Sequence, residues 1–282
     1  MSETEQCAQL ETRVRLGEFG DQADAKIDLA ETALLLASLD LPDRPLDECR
    51  HRLAAIGREL KDAVASAEPR LMGRVDALRE ILVRRHGFLG DRETYDDLAN
   101  ANLISVIERR RGLPVALAII YIDAARRVGW PVEGLNFPGR FLIRLGAADG
   151  RAVLDPFDGG EVRDTAALRA LMKQSEGADA ELTPAHFAVA GNHDILLRLE
   201  NNIKARLLQS GDVERAVGIL ERMLLIAPKA PLLWFEAAAH YARLGKLKAA
   251  IDAVERCRGL PLGKDLGRRV EAQLRELKAQ LN

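Results

Sequence analysis

The last third of the chain repeats itself. Gly211 and Gly245 are 34 residues apart, as are Ala216 and Ala250, and Pro228 and Pro261 are 33 apart. A period of this length marks a helix–turn–helix unit, in which a small residue such as alanine lets the paired helices approach. Two units cannot bury their own apolar faces, because about three are usually needed. Leu266, Val270, Leu274, Leu277 and Leu281 step by three or four residues and supply a closing helix at one end. The middle of the chain is expected to cover the other end.

The first 87 residues carry the same helical period. Leu46, Cys49, Leu53, Ile56 and Leu60 form one apolar stripe, and Leu71, Val75, Leu78 and Ile81–Leu82 form another. Cys49 sits on its stripe and reads as a buried structural thiol. Residues 114–128 are different, since PVALAIIYI is apolar on every face. A helix of that kind is enclosed on all sides. Beyond Gly129 the period shortens, and GLNFPGRFLIRLG and RAVLDPFDGG predict antiparallel strands near 132–137, 140–145 and 151–155. A helix over 165–174 follows. The expected class is therefore α+β and helix-rich, with a small antiparallel sheet and an α-helical repeat tail.

Charge separates the tail from the rest. Residues 1–90 and 91–200 each carry 13 basic and 17 acidic side chains, net −4, whereas 201–282 carry 15 and 9, net +6. The expected boundaries are an N-terminal helical region over 1–90, a core over 91–190 and the repeats over 191–282. The whole chain is net −2, with no surplus for a polyanion, which disfavours a nucleic-acid partner. Aromatics are 4% of the chain and none interleaves with Arg109–Arg111, so base-stacking platforms are missing there. No apolar run reaches the roughly 20 residues of a membrane span. The polar, acidic opening MSETEQCAQLETRVR is unlike a secretory signal, so a cytoplasmic chain is expected. Cys7, Cys49 and Cys257 lie far apart without metal-ligand spacing, so neither a disulfide framework nor a metal or other cofactor is expected.

Several motifs occur in one order: RRGLPVAL, ARRVGWPVEG, FPGRF, LDPFDGG and then the repeats. In that order the chain resembles the SirB1 family of bacterial proteins over about residues 60–260. The resemblance implies a papain/transglutaminase-like core followed by tetratricopeptide repeats, in a protein with a regulatory role. Such a core is built for Cys–His–Asp chemistry. The thiol opens a buried helix, the imidazole comes on the next strand and the carboxylate on the one after. On this pattern Gly112, Ala118 and Gly129 match the frame around the nucleophile, but Pro114 holds the nucleophile's position and Arg140 the imidazole's. Only Asp155 keeps its expected identity. Proline has no nucleophilic atom, and arginine stays protonated and cannot act as a base.

The expectation is thus a degenerate triad with no catalytic residue, in a binding or regulatory protein. Pro114 suits the first turn of a helix. Arg140 is expected to pair with Asp155 across adjacent strands or to clamp a small anion with the free amides beyond Pro114. Asp155 and Asp158 read as a turn closed by Gly159–Gly160, and with Arg140 they are the ligand-binding candidates. Asn192 or Asp194 is expected to cap the helix that opens the repeats. Trp234, Tyr241 and Lys204 are the partner-binding candidates on a repeat surface suited to a protein or peptide. The alternatives are a papain-like cysteine hydrolase or acyl transferase with another nucleophile, and a nucleic-acid or ribosome-associated factor using the basic tail.

Overall fold

Contacts along the chain divide the protein into two units, one running from Ala23 to Leu199 and the other joining the residues up to Gln22 to those from Glu200 onward. The computed structural model describes residues 3–65 and 70–281. Helix α1 (Glu3–Gly20) belongs to the second of these units.

The Ala23–Leu199 unit contains α2 (Leu29–Ser38), α3 (Leu46–Ala63), α4 (Leu71–Arg79), α5 (Leu103–Arg109), α6 (Pro114–Arg127) and α7 (Thr165–Glu176). A π-helical turn over Glu80–Arg85 continues α4. Short polar side chains start three of these helices by accepting an otherwise unpaired amide. Asp28 takes Glu31 N at 3.0 Å, Asn102 takes Ser105 N at 3.1 Å and Asp164 takes Ala167 N at 2.8 Å. The expected stripes are the buried faces of α3 and α4: Cys49, Leu53, Ile56 and Leu60 on one, Val75 and Leu78 on the other. Every residue of α6 from Pro114 to Ile122 is buried. The helix is enclosed by α2, α3, α4, α5 and the sheet, as an all-round apolar sequence requires.

The sheet is formed by β3 (Val132–Leu135), β4 (Leu142–Ala147), β5 (Gly150–Asp155), β6 (Glu161–Val162) and β7 (Val189–Ala190), in the antiparallel order β6-β5-β4-β3-β7. A separate parallel pair joins β1 (Leu89–Gly90) to β2 (Arg111–Gly112). Leu135 stands opposite Leu142, and Asp155 opposite Glu161. Leu142 and Ile143 are both fully buried. Successive strand residues point to opposite faces, so the sheet is covered on both. One cover is α7, whose Leu168 and Met172 pack with Leu135, Phe137 and Leu142.

The second expected strand begins at Leu142 rather than 140. Residues Pro138–Arg140 are spent on a turn, with Gly139 at φ 68° and Arg140 N donating to Phe137 O at 3.3 Å. The helices α2–α4 share a unit with the sheet. The buried α6 is what they cover.

Helix α8 (Asn192–Gln209) carries the chain from one unit into the other. Two polar side chains cap its start: Asp194, as expected, accepts Gly191 N at 3.2 Å, and Asp24, 168 residues before Asn192, takes the next amides. Asp24 accepts from Asn192 N at 2.9 Å, His193 N at 2.9 Å and His193 Nδ1 at 3.0 Å. The Asn192 side chain is used elsewhere, donating to Asp24 O at 2.8 Å and accepting from Arg126 Nη1 at 3.0 Å.

The repeats are α8–α9 (Val213–Ile226) and α10 (Pro231–Arg243)–α11 (Leu247–Arg258), followed by α12 (Lys264–Leu281). Gly211 and Gly245 make the two equivalent turns with φ of 82° and 70°, a conformation open to glycine without a Cβ clash. The residue after each turn glycine also repeats its geometry: Asp212 has φ −83°, ψ 73° and Lys246 has φ −84°, ψ 61°. Ala237, Ala238, Ala250 and Ala253 are buried where α10 meets α11. Helix α1 packs on α9, with Leu16 fully buried and Arg13 Nη2 3.4 Å from Glu221 Oε2. Within this unit the first helix thus covers part of α9.

Candidate functional site

Asp155 ends β5 and has no exposed surface. A buried carboxylate needs partners, because an unpaired one costs several kcal/mol. Its Oδ1 accepts Phe157 N at 3.1 Å, the turn expected at this position, and Gly159 and Gly160 follow with φ of 67° and 71°. Its Oδ2 accepts from Arg163 Nε at 3.3 Å and Nη2 at 3.1 Å, while Arg140 Nη1 stands 3.8 Å away. Burial pushes the Asp155 carboxyl above the ordinary aspartate range, against the opposing pull of Arg140 and Arg163.

Asp158 is shared in the same way. Arg163 and Arg92 both pair with it, and Arg140 Nη1 lies 3.9 Å from its Oδ1. Arg163 also reaches Glu161 Oε2 at 2.9 Å. Three guanidiniums therefore meet three carboxylates around the Phe157 ring, with Arg140 Cζ 4.7 Å and Arg92 Cζ 5.7 Å from its centroid. Gly90 of β1 sets the ring's place: a Cβ there would lie 2.5 Å from its atoms.

The structure brings Arg140, Asp155 and Asp158 together. The pairing of Arg140 with Asp155 is present, but it comes from the Pro138–Arg140 turn and not from a strand. Pro114 is buried in the first turn of α6 and is not among the residues lining the cleft onto which Arg140 opens. The side-chain hydrogen bonds to Asp155 come from Arg163, which the sequence reading missed. A signal for it exists. The Gly159–Gly160 turn sends the chain back antiparallel to β5, with Leu154 opposite Val162 and Arg163 N bonded to Val153 O at 2.8 Å. Arg92 carries no comparable local signal.

No thiol stands in this cluster. Cys7 is exposed on α1, with Sγ 3.9 Å from Glu11 Oε1. Cys49 and Cys257 are buried, and burial pushes both thiols up, away from the reactive thiolate. Cys257 donates to Pro231 O at 3.2 Å inside the repeats. Among the described residues no group of three or more His, Cys, Asp and Glu side chains is arranged to hold a metal ion. No described helix is long and apolar enough to cross a membrane.

In the repeats, Trp234 and Tyr241 are partly exposed. Trp234 Nε1 donates to Pro228 O at 2.8 Å beneath Arg256, whose Cζ is 5.5 Å from the ring centroid. Tyr241 OH donates to Glu221 Oε1 at 2.9 Å, and burial with that bond pushes the phenol up to about 12. Lys204 is 5% exposed, and Glu236 holds its ammonium at 2.6 Å. Its charge is therefore used inside the unit.

Residues 47–201 match the transglutaminase-like superfamily, and residues 203–282 match the tetratricopeptide repeat. A UPF0162 protein of Xylella fastidiosa is 32% identical over 238 residues, covering 83% of this chain and 84% of the relative. A UPF0162 protein of Pseudomonas aeruginosa is 34% identical over 224 residues, covering 77% and 76%. The human F-box only protein 21 is 36% identical over 84 residues, which is 30% of this chain and 14% or less of that protein's orthologues from mouse, orangutan and human.

Proposed function

We propose that this chain, which belongs to the transglutaminase-like superfamily, acts by binding other proteins and catalyses no reaction. Tetratricopeptide repeats generally mediate protein–protein interaction, and this chain carries them over its last 80 residues, 203–282. The observation that carries the non-catalytic part is the environment of Asp155. Its carboxylate is occupied by Arg163 and faced by Arg140, where an enzyme of this kind would have an imidazole to orient. Neither guanidinium can take a proton from a nucleophile at neutral pH. The cleft at Arg140 holds an anionic group, and the repeats separately offer a surface for a protein or peptide. A regulatory role in the cytoplasm, as in the SirB1 family that the motifs resemble, belongs to the same reading.

Iodoacetamide labelling at neutral pH, followed residue by residue, tests the absence of a nucleophile. Cys7 is expected to react as an ordinary thiol, and Cys49 and Cys257 only after unfolding. One thiol alkylated faster than free cysteine, with turnover lost on its replacement by serine, overturns the reading. For the repeats, Trp234→Ala is expected to release captured partners while helical circular dichroism is retained. Undiminished capture removes the repeat surface from the proposal.

A further inference from the structure

The geometry points to a carboxylate-binding subsite: the cleft beside Phe157 takes the carboxylate of an acidic peptide, with Arg140 as its anchor. This rests on the binding role proposed above and names the chemistry that the cleft recognises.

Arg140 is a charged group with unused bonding capacity. Its side chain is 21% exposed, and its nearest carboxylate oxygens stand at 3.8 and 3.9 Å. Those distances hold the charge in place but are longer than a hydrogen bond. The guanidinium lies over Phe157, and stacking of this kind leaves the in-plane N–H edge open. Arg163 and Arg92, by contrast, both spend donors on Asp158.

The cleft next to it has a volume of about 430 Å³, a size that holds a small ligand or a few peptide atoms. Arg140 and Arg92 line it, and among the described residues no Asp or Glu does. Tyr95, Phe157 and Leu171 give it an apolar wall, and Gln174 adds an amide at its rim. The Arg140 turn is held against α7, because a Cβ on Gly139 would lie 2.6 Å from Ser175 Cβ. The anchor is thus preorganised, which lowers the cost of binding.

Two features select a carboxylate over phosphate. Asp155 and Asp158 lie directly behind the guanidinium, so a dianion would meet more repulsion there than a monoanion. The apolar wall also rewards an acid that carries carbon next to its charge. A glutamate flanked by apolar residues has both properties.

The test titrates the full chain with four probes: benzoate, benzamide, inorganic phosphate and an acetylated, amidated peptide of alternating leucine and glutamate. Arginine Nε–Hε signals in ¹H–¹⁵N spectra report binding. Benzoate and the peptide are expected to shift one common signal, which Arg140→Lys removes from the spectrum, and the peptide binds more tightly than benzoate. Arg140→Gln is expected to weaken the peptide about tenfold or more, the loss of one charged hydrogen-bonded pair. Gln174→Glu, an exposed change on α7, is expected to weaken it as well by placing a competing carboxylate at the rim. It serves where Arg140→Gln does not fold. Benzamide binding as tightly as benzoate, phosphate binding more tightly, or no shift up to about 10 mM probe overturns the proposal. Benzoate binding as tightly as the peptide makes a small acid the ligand and overturns the peptide assignment. Failure here leaves partner capture through Trp234 standing, whereas turnover at a thiol would sink the non-catalytic reading and leave the cleft's affinities measurable.

Discussion

At the scale of single residues, the cluster around Asp155 is decided by who neutralises whom. Three arginines and three carboxylates share one small region, and Asp155 is the member with no solvent at all. Removing it leaves Arg163 and Arg140 to share Asp158 as their remaining common counter-charge. Asp155→Ala is therefore expected to cost about 1.5–3 kcal/mol, the usual loss for a hydrogen bond to a charged group, as measured by urea unfolding. A loss under about 1 kcal/mol would show that water screens the pair. The sequence makes part of this legible. LDPFDGG predicts the turn, and Arg140 in FPGRF predicts a basic partner for its carboxylate. It does not show that Arg163 supplies the hydrogen bonds while Arg140 keeps its donors free. That difference rests on the gap between the 3.1 and 3.8 Å separations, set by the turn that displaces the start of β4.

At the scale of elements, most helices announce themselves, because capping and periodicity are local properties. Asp28, Asn102 and Asp164 lie next to the helices they start. Helix α8 is the exception, since part of its cap arrives from Asp24. Burial of Asp24 works against its charge, but the amides and ring of His193 and the amide of Asn192 outweigh it and hold the carboxyl below the ordinary aspartate range. A carboxylate with a lowered folded pKa adds stability above its unfolded value and loses it as pH falls through the folded one. Asp24→Ala is expected to cost about 1 kcal/mol at pH 7, and the cost shrinks on acidification below about pH 4. Asp24→Asn, an equally good cap, recovers most of the loss at pH 7 and removes its pH dependence. Chemical denaturation at pH 7 and pH 3 checks both. An Asp24→Ala cost equal at the two pH values would contradict the cap's ionic character.

At the scale of the whole molecule, α1 and the repeats form one unit although the whole Ala23–Leu199 stretch lies between them in the sequence. Leu16 is fully buried on α1, and Leu220 is fully buried on α9 against which α1 packs. Leu16→Ala and Leu220→Ala are each expected to cost about 2–5 kcal/mol, and both act on the same unfolding transition. Hydrogen exchange resolved along the chain checks this: both variants raise exchange in α9–α11 while the β3–β5 sheet keeps its protection. Protection lost in the sheet but kept in the repeats would place α1 in the other unit. Periodicity, composition and turn chemistry alone determined the α+β class, the all-round burial of α6, the three main strands and the 34-residue repeat, since each depends on neighbours within a few turns or one repeat. Only the tertiary structure decided that α1 joins the repeats, that Asp24 caps α8 and that Arg163 takes Asp155 while Arg140 faces the cleft. The first two outcomes bring together groups from distant positions, and the third is a competition between two arginines for one carboxylate; their energies come from burial and pairing that periodicity and turn chemistry do not carry.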